Sequence, residues 1–241
     1  MRRSAFVLTV SAMVVFALWW SITGSAATIL TETVGNPSGT TAITSYTGWS
    51  NPSLTFTGTG DVRNTSPSTG YTGASGQGNV FLTNTVGRDF QIAGINTTGY
   101  TSLSLSFGIF KSTTAGTGAD LIVEVTSDGT NYTALSYTAL PTGAGTANWF
   151  LRTATGTIPA TANLRIRFRQ NGIATQYRID DVALTGTPPP PTISVTGGPL
   201  NFPNTGIGSN SASQSYNVSG SNLTANSRRH CSLNGFSSLD G

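Results

Sequence analysis

Apolar and polar residues alternate along much of this chain. In "SLSLSFGIF", Leu103, Leu105, Phe107 and Ile109 share one face, with serines and a glycine between them, the two-residue period of a half-buried strand. "ADLIVEVTSDGTNYTALSYTAL" reads as a hairpin. Leu121, Val123 and Val125 alternate, Asp128-Gly129 supplies the turn, and Tyr132, Ala134 and Leu135 begin the return. "NLRIRFRQ" sends Leu164, Ile166 and Phe168 inward and Arg165, Arg167 and Arg169 outward. In "QYRIDDVALTG", Tyr177 and Ile179 give way to Val182 and Leu184, so the phase changes at Asp180-Asp181. Further strands are expected at "TILTETV", "SLTFTG" and "NVFLTN", with a strand and a loop at "RDFQIAGINTTGY". No helical stripe follows the first residues. About eight or nine short strands with Gly-rich turns imply an all-β chain folded as a two-sheet antiparallel sandwich.

The chain opens with Arg2 and Arg3, an apolar run over 5–20 and small residues ending in Gly24-Ser25-Ala26. This is the pattern of a signal peptide, residues 1–26, cut after Ala26 or Ala27. The run is short for a membrane span, and no later run approaches spanning length. The expectation is a secreted protein with no membrane span after cleavage. A sandwich domain then occupies 27–186. Four consecutive prolines at 188–191 cannot join a sheet ladder, so 187–191 reads as a linker. Residues 192–241 alternate again, but about 50 residues are too few for a closed sandwich. They end in "SRRHCSLNGFSSLDG", where the alternation is lost, as in a truncated or frame-shifted end.

Charge narrows the function classes. Without Arg2 and Arg3, ten basic side chains face nine acidic ones, so a nucleic-acid partner is not expected. A single cysteine, Cys231, excludes an internal disulfide. One His and one Cys cannot make a zinc site, and His230 lies in the anomalous tail, away from any serine elbow. Glu32 and Glu124 form no paired-acid motif. Catalysis therefore has little support.

"ETVGN", "FQIAGINTTGYTSLSLSFGI", "LIVEVTSDGTNYTAL" and "LRIRFRQ...YRIDDVALTG" resemble the jelly-roll modules, similar to galactose-binding and carbohydrate-binding domains, of secreted bacterial multidomain adhesins and hydrolases. The resemblance covers 28–186 and is sharpest at "RIDDVALTG". The stretch from Thr192 resembles the start of an immunoglobulin-like repeat and then departs from it. The resemblance implies a jelly-roll sandwich with a partial Ig-like module behind it. It also implies a non-catalytic binding or adhesion role at the cell surface, with glycans or other surface polymers as partners. The second expectation is an accessory fragment of an extracellular glycosidase, esterase or nuclease.

In similar modules an acid of the closing strand and one near the mature N-terminus hold a structural Ca²⁺. Here those positions are Asp180 or Asp181 and Glu32. Ca²⁺ suits carboxylates and carbonyls in flexible geometry, while the aspartates could equally pair with Arg178 or cap a turn. The arginine face, with Arg165 and Arg167 at its centre, Arg169 beside them and Arg178 on a partner strand, reads as a grip for acidic glycans. It also reads as a solvated face balanced by Glu124 and Asp120. Trp49, Trp149 and Tyr177, with Tyr71 and Tyr100, are candidates for exposed rings on which a sugar could stack.

Overall fold

A computed structural model describes residues 25–196 and 217–223. Residues 1–24, most of the segment expected as a signal peptide, and the tail with His230 and Cys231 lie outside the described residues. The strands are β1 (Ala27–Glu32), β2 (Thr41–Ala42), β3 (Thr55–Gly58), β4 (Asp61–Arg63), β5 (Asn79–Leu82), β6 (Asp89–Ile95) and β7 (Thr101–Lys111). They continue with β8 (Leu121–Thr126), β9 (Thr133–Leu135), β10 (Trp149–Thr153), β11 (Leu164–Gln170), β12 (Tyr177–Thr187), β13 (Thr192–Thr196) and β14 (Asn217–Ser221).

Two antiparallel sheets form a jelly-roll sandwich. One runs β10-β7-β12-β5-β4-β2, with β1 also on β12; the other runs β3-β6-β11-β8-β9. The expected alternation is what makes them face each other. Leu105, Phe107 and Ile109 of β7 and Ile179, Val182 and Leu184 of β12 meet Phe90 and Ile92 of β6, Val123 of β8, and Ile166 and Phe168 of β11; all are fully buried. Burying each such side chain contributes about 1.5–3 kcal/mol.

The phase change at the aspartate pair has a topological cause. The first part of β12 pairs with β5 (Tyr177 opposite Leu82, Ile179 opposite Val80), and the second part pairs with β1 (Val182 opposite Glu32, Leu184 opposite Leu30). Between the two partners the ladder to β7 slips at 180–183, and Asp181 adopts φ +49°. The bulge resets the strand so that residues on both sides of it point inward.

Three parts of the fold depart from the pattern. β11 and β12 follow one another but lie in different sheets, so Arg178 is not beside the arginine ladder. It stands on the outer face of the larger sheet, 4.8 Å from the Phe81 ring centroid, and donates to Asn79 Oδ1 at 2.9 Å. β10 carries no clean alternation because it is an edge strand: Trp149 is buried whereas Leu151 is 40% exposed. Beyond the prolines the described residues hold only the β13–β14 ladder, Thr192 opposite Ser221 and Thr196 opposite Asn217. Two strands fall short of an immunoglobulin-like module, and the remainder of that expectation lies outside the described residues.

Candidate functional site

The outward face of the five-stranded sheet carries a connected polar cluster. The two-residue period places Arg165, Arg167 and Arg169 on this side of β11, and β8 sets Glu124 opposite Arg167. Both Arg167 Nε and Arg169 Nε donate to Glu124 Oε1 at 2.8 Å. Burial pushes the Glu124 pKa up, but these two guanidinium hydrogen bonds outweigh it and hold the carboxyl below its ordinary value. The Arg167 guanidinium lies 3.4 Å from the centroid of the Tyr132 ring. The Tyr132 hydroxyl donates to Gln91 Oε1 at 3.0 Å, Arg165 reaches the same oxygen at 3.4 Å, and Gln91 Nε2 donates to Asp89 at 2.6 Å. The face is thus pre-ordered by a carboxylate, an amide and an aromatic ring. The terminal nitrogens of Arg167 have no protein acceptor among the described residues. Asp120, expected to balance the arginines, forms no ion pair with them. Tyr132 and Gln91 were not singled out by sequence as site residues; Tyr132 leaves the hairpin turn one strand away from β11, and its ring reaches across β8 to Arg167.

At the edge of this face, β8, β9, the loop before β8 and the loop after β9 border an open cavity of about 360 Å³ lined by Ala119, Ile122, Ala134, Tyr137 and Ala139. Tyr137 forms one wall, held by hydroxyl bonds to Gly118 O at 2.6 Å and Leu121 O at 2.9 Å.

The rings expected as a sugar platform are buried, Trp49 and Tyr177 in the core and Trp149 on the outer face of the larger sheet beside Phe110. Trp49 is 8% exposed, stacked on Phe56 at 4.0 Å with Tyr46 edge-on at 5.1 Å, and it closes one end of the core. Trp149 is 5% exposed and donates its indole N–H to Ser66 O at 3.2 Å. Tyr177 is fully buried. Places in loops and at strand ends suit exposed rings, but in this chain the loops fold back over the sheets and cover the aromatic residues there. Tyr100 is half-buried before β7.

The acids expected to share calcium separate into two sites. Glu32 is fully buried, and its carboxylate accepts from Val34 N (2.8 Å), Ser50 N (3.0 Å), Asn51 N (3.0 Å) and Asn51 Nδ2 (3.0 Å). Among the described residues no group of three His, Cys, Asp or Glu is placed to hold a metal, so Glu32 does not join the aspartates in a three-acid site. Asp180 and Asp181 tie β12 to the 64–78 loop. Tyr71 donates to Asp181 Oδ2 at 2.5 Å, Ser75 N to both Asp181 oxygens at 3.2 Å, and Ser75 Oγ to Asp180 Oδ2 at 3.0 Å. Gly108 leaves the space Tyr71 needs: a Cβ there would lie 2.0 Å from its hydroxyl. Neither aspartate pairs with Arg178. Burial, then the charge of Asp181, push the Asp180 pKa up to about 7, as expected for adjacent carboxyls with no cationic partner. Two carboxylates beside the hydroxyls of Tyr71 and Ser75 are donors of the kind Ca²⁺ accepts.

No family model matches the chain, and no curated protein matches it. Solved structures of similar shape include the CBM22-1 xylan-binding domain of Paenibacillus barcinonensis Xyn10C, at 11% identity over 68% of this chain and 97% of that one, with a TM-score of 0.42. CBM35 from Cellvibrio japonicus Abf62 matches at 17% identity over 54% and 91%, TM-score 0.39. The K1 cleaved adhesin domain of Lys-gingipain from Porphyromonas gingivalis W83 matches at 16% over 67% and 98%, TM-score 0.40.

Proposed function

We propose that this chain is a secreted, non-catalytic binding module that takes carbohydrate on the outward face of its five-stranded sheet. The observation that carries the proposal is the Arg167 guanidinium, laid 3.4 Å from the Tyr132 ring centroid and held at Nε by Glu124. Its remaining N–H groups are fixed and await acceptors. A hydroxyl-rich ligand supplies such acceptors, and the donors lose little freedom on binding because the sheet has already ordered them. The cavity beside Ala134 and Tyr137 extends the same surface.

The test is affinity electrophoresis of the exported chain in gels containing neutral and acidic polysaccharides. Retardation by at least one polymer is expected. It is expected to weaken about tenfold in Arg167→Ala and in Tyr132→Ala, the scale of one or two binding hot spots. No retardation by any polymer, or retardation indifferent to both substitutions, would sink the proposal. Turnover of a polymer by the chain would instead favour an extracellular hydrolase.

We also infer that Asp180 and Asp181 hold one Ca²⁺ in place of the proton that Asp180 otherwise keeps. In EDTA the unfolded chain releases that proton near pH 4 and the folded chain near pH 7. The folded state thus binds more protons across this interval, and stability falls as pH rises through it. The expected loss, read as the difference between the native chain and Asp180→Asn, is about 2–4 kcal/mol. Saturating Ca²⁺ is expected to restore it and to raise the melting temperature by several degrees. Identical melting in Ca²⁺ and EDTA at pH 7.5 would remove the ion.

A further inference from the structure

Lys111 is the only lysine in the sequence. It ends β7 and continues the inward face of Leu105, Phe107 and Ile109, and it is fully buried. Its Nζ donates to the carbonyl oxygens of Gly116 (2.7 Å), Thr114 (3.4 Å) and Pro141, and to Thr146 Oγ1 (3.2 Å). The ion pairs among the described residues join Arg63 to Asp61 and Arg167 and Arg169 to Glu124, so no acid answers this charge. A buried ammonium is costly unless something replaces its water. Here backbone dipoles do so. Carbonyl oxygens only accept, and a neutral amine would turn its lone pair towards one of them, whereas an ammonium offers three protons to the surrounding oxygens.

Two loops supply the oxygens. Thr114 and Gly116 belong to the segment 112–120 between β7 and β8, and Pro141 and Thr146 to the segment 136–148 between β9 and β10. The loops also touch directly, Leu140 N to Thr117 O at 2.7 Å and Gly143 N to Thr114 O at 3.0 Å. Thr117, Gly118, Ala119 and Ala139 of the same segments wall the 360 Å³ cavity.

We propose that this oxygen cage is a cation-binding site whose resident cation is the chain's own ammonium, standing where a dehydrated monovalent ion such as K⁺ or NH₄⁺ would otherwise bind. The cage holds no carboxylate, so it does not suit Ca²⁺ or Mg²⁺. By neutralising the carbonyls of both loops at once, Lys111 fastens the wall of the cavity to the core. Burial lowers the Lys111 pKa from its ordinary value, while the oxygens around Nζ favour the charged form.

The experiment is thermal unfolding of Lys111→Ala in the exported chain, in choline, sodium, potassium and ammonium chlorides at equal ionic strength. In choline chloride the variant is expected to melt roughly 10 °C below the native chain. Potassium or ammonium is expected to restore a few degrees saturably, while the native chain is indifferent to the choice. Lys111→Met fills the space of the stem without supplying a charge, and it is expected to be destabilised and not restored. Absence of restoration by any cation, or a Met variant as stable as the native chain, overturns the proposal. Should the alanine variant fail to fold, the native chain labelled with ¹⁵N-lysine gives a single Nζ resonance. A slowly exchanging ammonium at pH 7 is expected, and a neutral amine or a freely exchanging one overturns the site.

Discussion

Replacing Glu32 with alanine is expected to cost about 4 kcal/mol of folding stability, one of the two largest effects of a single substitution in this chain. Its carboxylate receives four N–H groups from three positions, Val34, Ser50 and Asn51. Hydrogen bonds to a charged acceptor each contribute about 1.5–3 kcal/mol, and buried donors left without a partner lose more than the bond. The site also holds an unfavourable backbone. Val34 adopts φ +59°, a region a β-branched residue rarely enters without outside support. Next to it, a Cβ on Gly35 would meet Gly48 O at 2.1 Å. Glu32→Gln keeps one acceptor oxygen and is expected to lose about half as much. Urea unfolding followed by tryptophan fluorescence measures both. A loss below about 1 kcal/mol for the alanine variant would mean that the loops hold themselves. Equal losses in Ca²⁺ and in EDTA would confirm that Glu32 acts on the loops and is not an ion ligand.

Phe90→Ala is expected to cost about 3–5 kcal/mol and to lower the melting temperature by roughly 10 °C. Phe90 is fully buried in the middle of an aromatic row. Its ring centroid lies 5.7 Å from Trp49, 6.4 Å from Phe56 and 6.0 Å from Phe168, and Phe168 in turn meets Phe107 of the opposite sheet at 5.1 Å. Truncation therefore removes one transfer contribution and leaves a void bordered by the rings of Trp49, Phe56 and Phe168. Flat, stacked rings on short strands cannot collapse into such a void without breaking ladder pairs, so the upper half of the range is expected. Phe56→Ala removes an outer member, 8% exposed, and is expected to cost less. Equal costs at the two positions would show that the row does not act as a unit.

The strands were legible because burial on one sheet face imposes a two-residue period, and nearly every inward apolar position of β7, β8, β11 and β12 could be read from it. The same period carries a second signal. Leu30 leads to Glu32, Ile109 to Lys111, and Phe168 to Gln170 on the same inward faces, and all three polar residues are fully buried. A polar side chain at an inward position near a strand end marks where the sandwich must solvate its loops from within. Most of the Arg167–Glu124 cluster was visible: the arginine face follows from alternation along β11 and Glu124 is the acid expected across the sheet, while its sharing between Arg167 and Arg169 depends on the register of β8 against β11. The division of Glu32 from the aspartates was hidden for the same reason. It depends on where β12 exchanges β5 for β1, a non-local event that alternation along one strand announces only as a slip of phase. The burial of Trp49 and Trp149 was hidden because a place in a loop or at a strand end does not tell which distant segment folds over the ring, as the residues around Ser66 do over Trp149.

The enclosure of Lys111 has a practical corollary for handling the protein. With its single ε-amine sealed under two loops, the native fold offers no lysine side chain to amine-directed reagents such as succinimidyl dyes and biotin esters. Such labelling would thus leave the loops around Lys111 and the arginine face of the smaller sheet chemically unaltered.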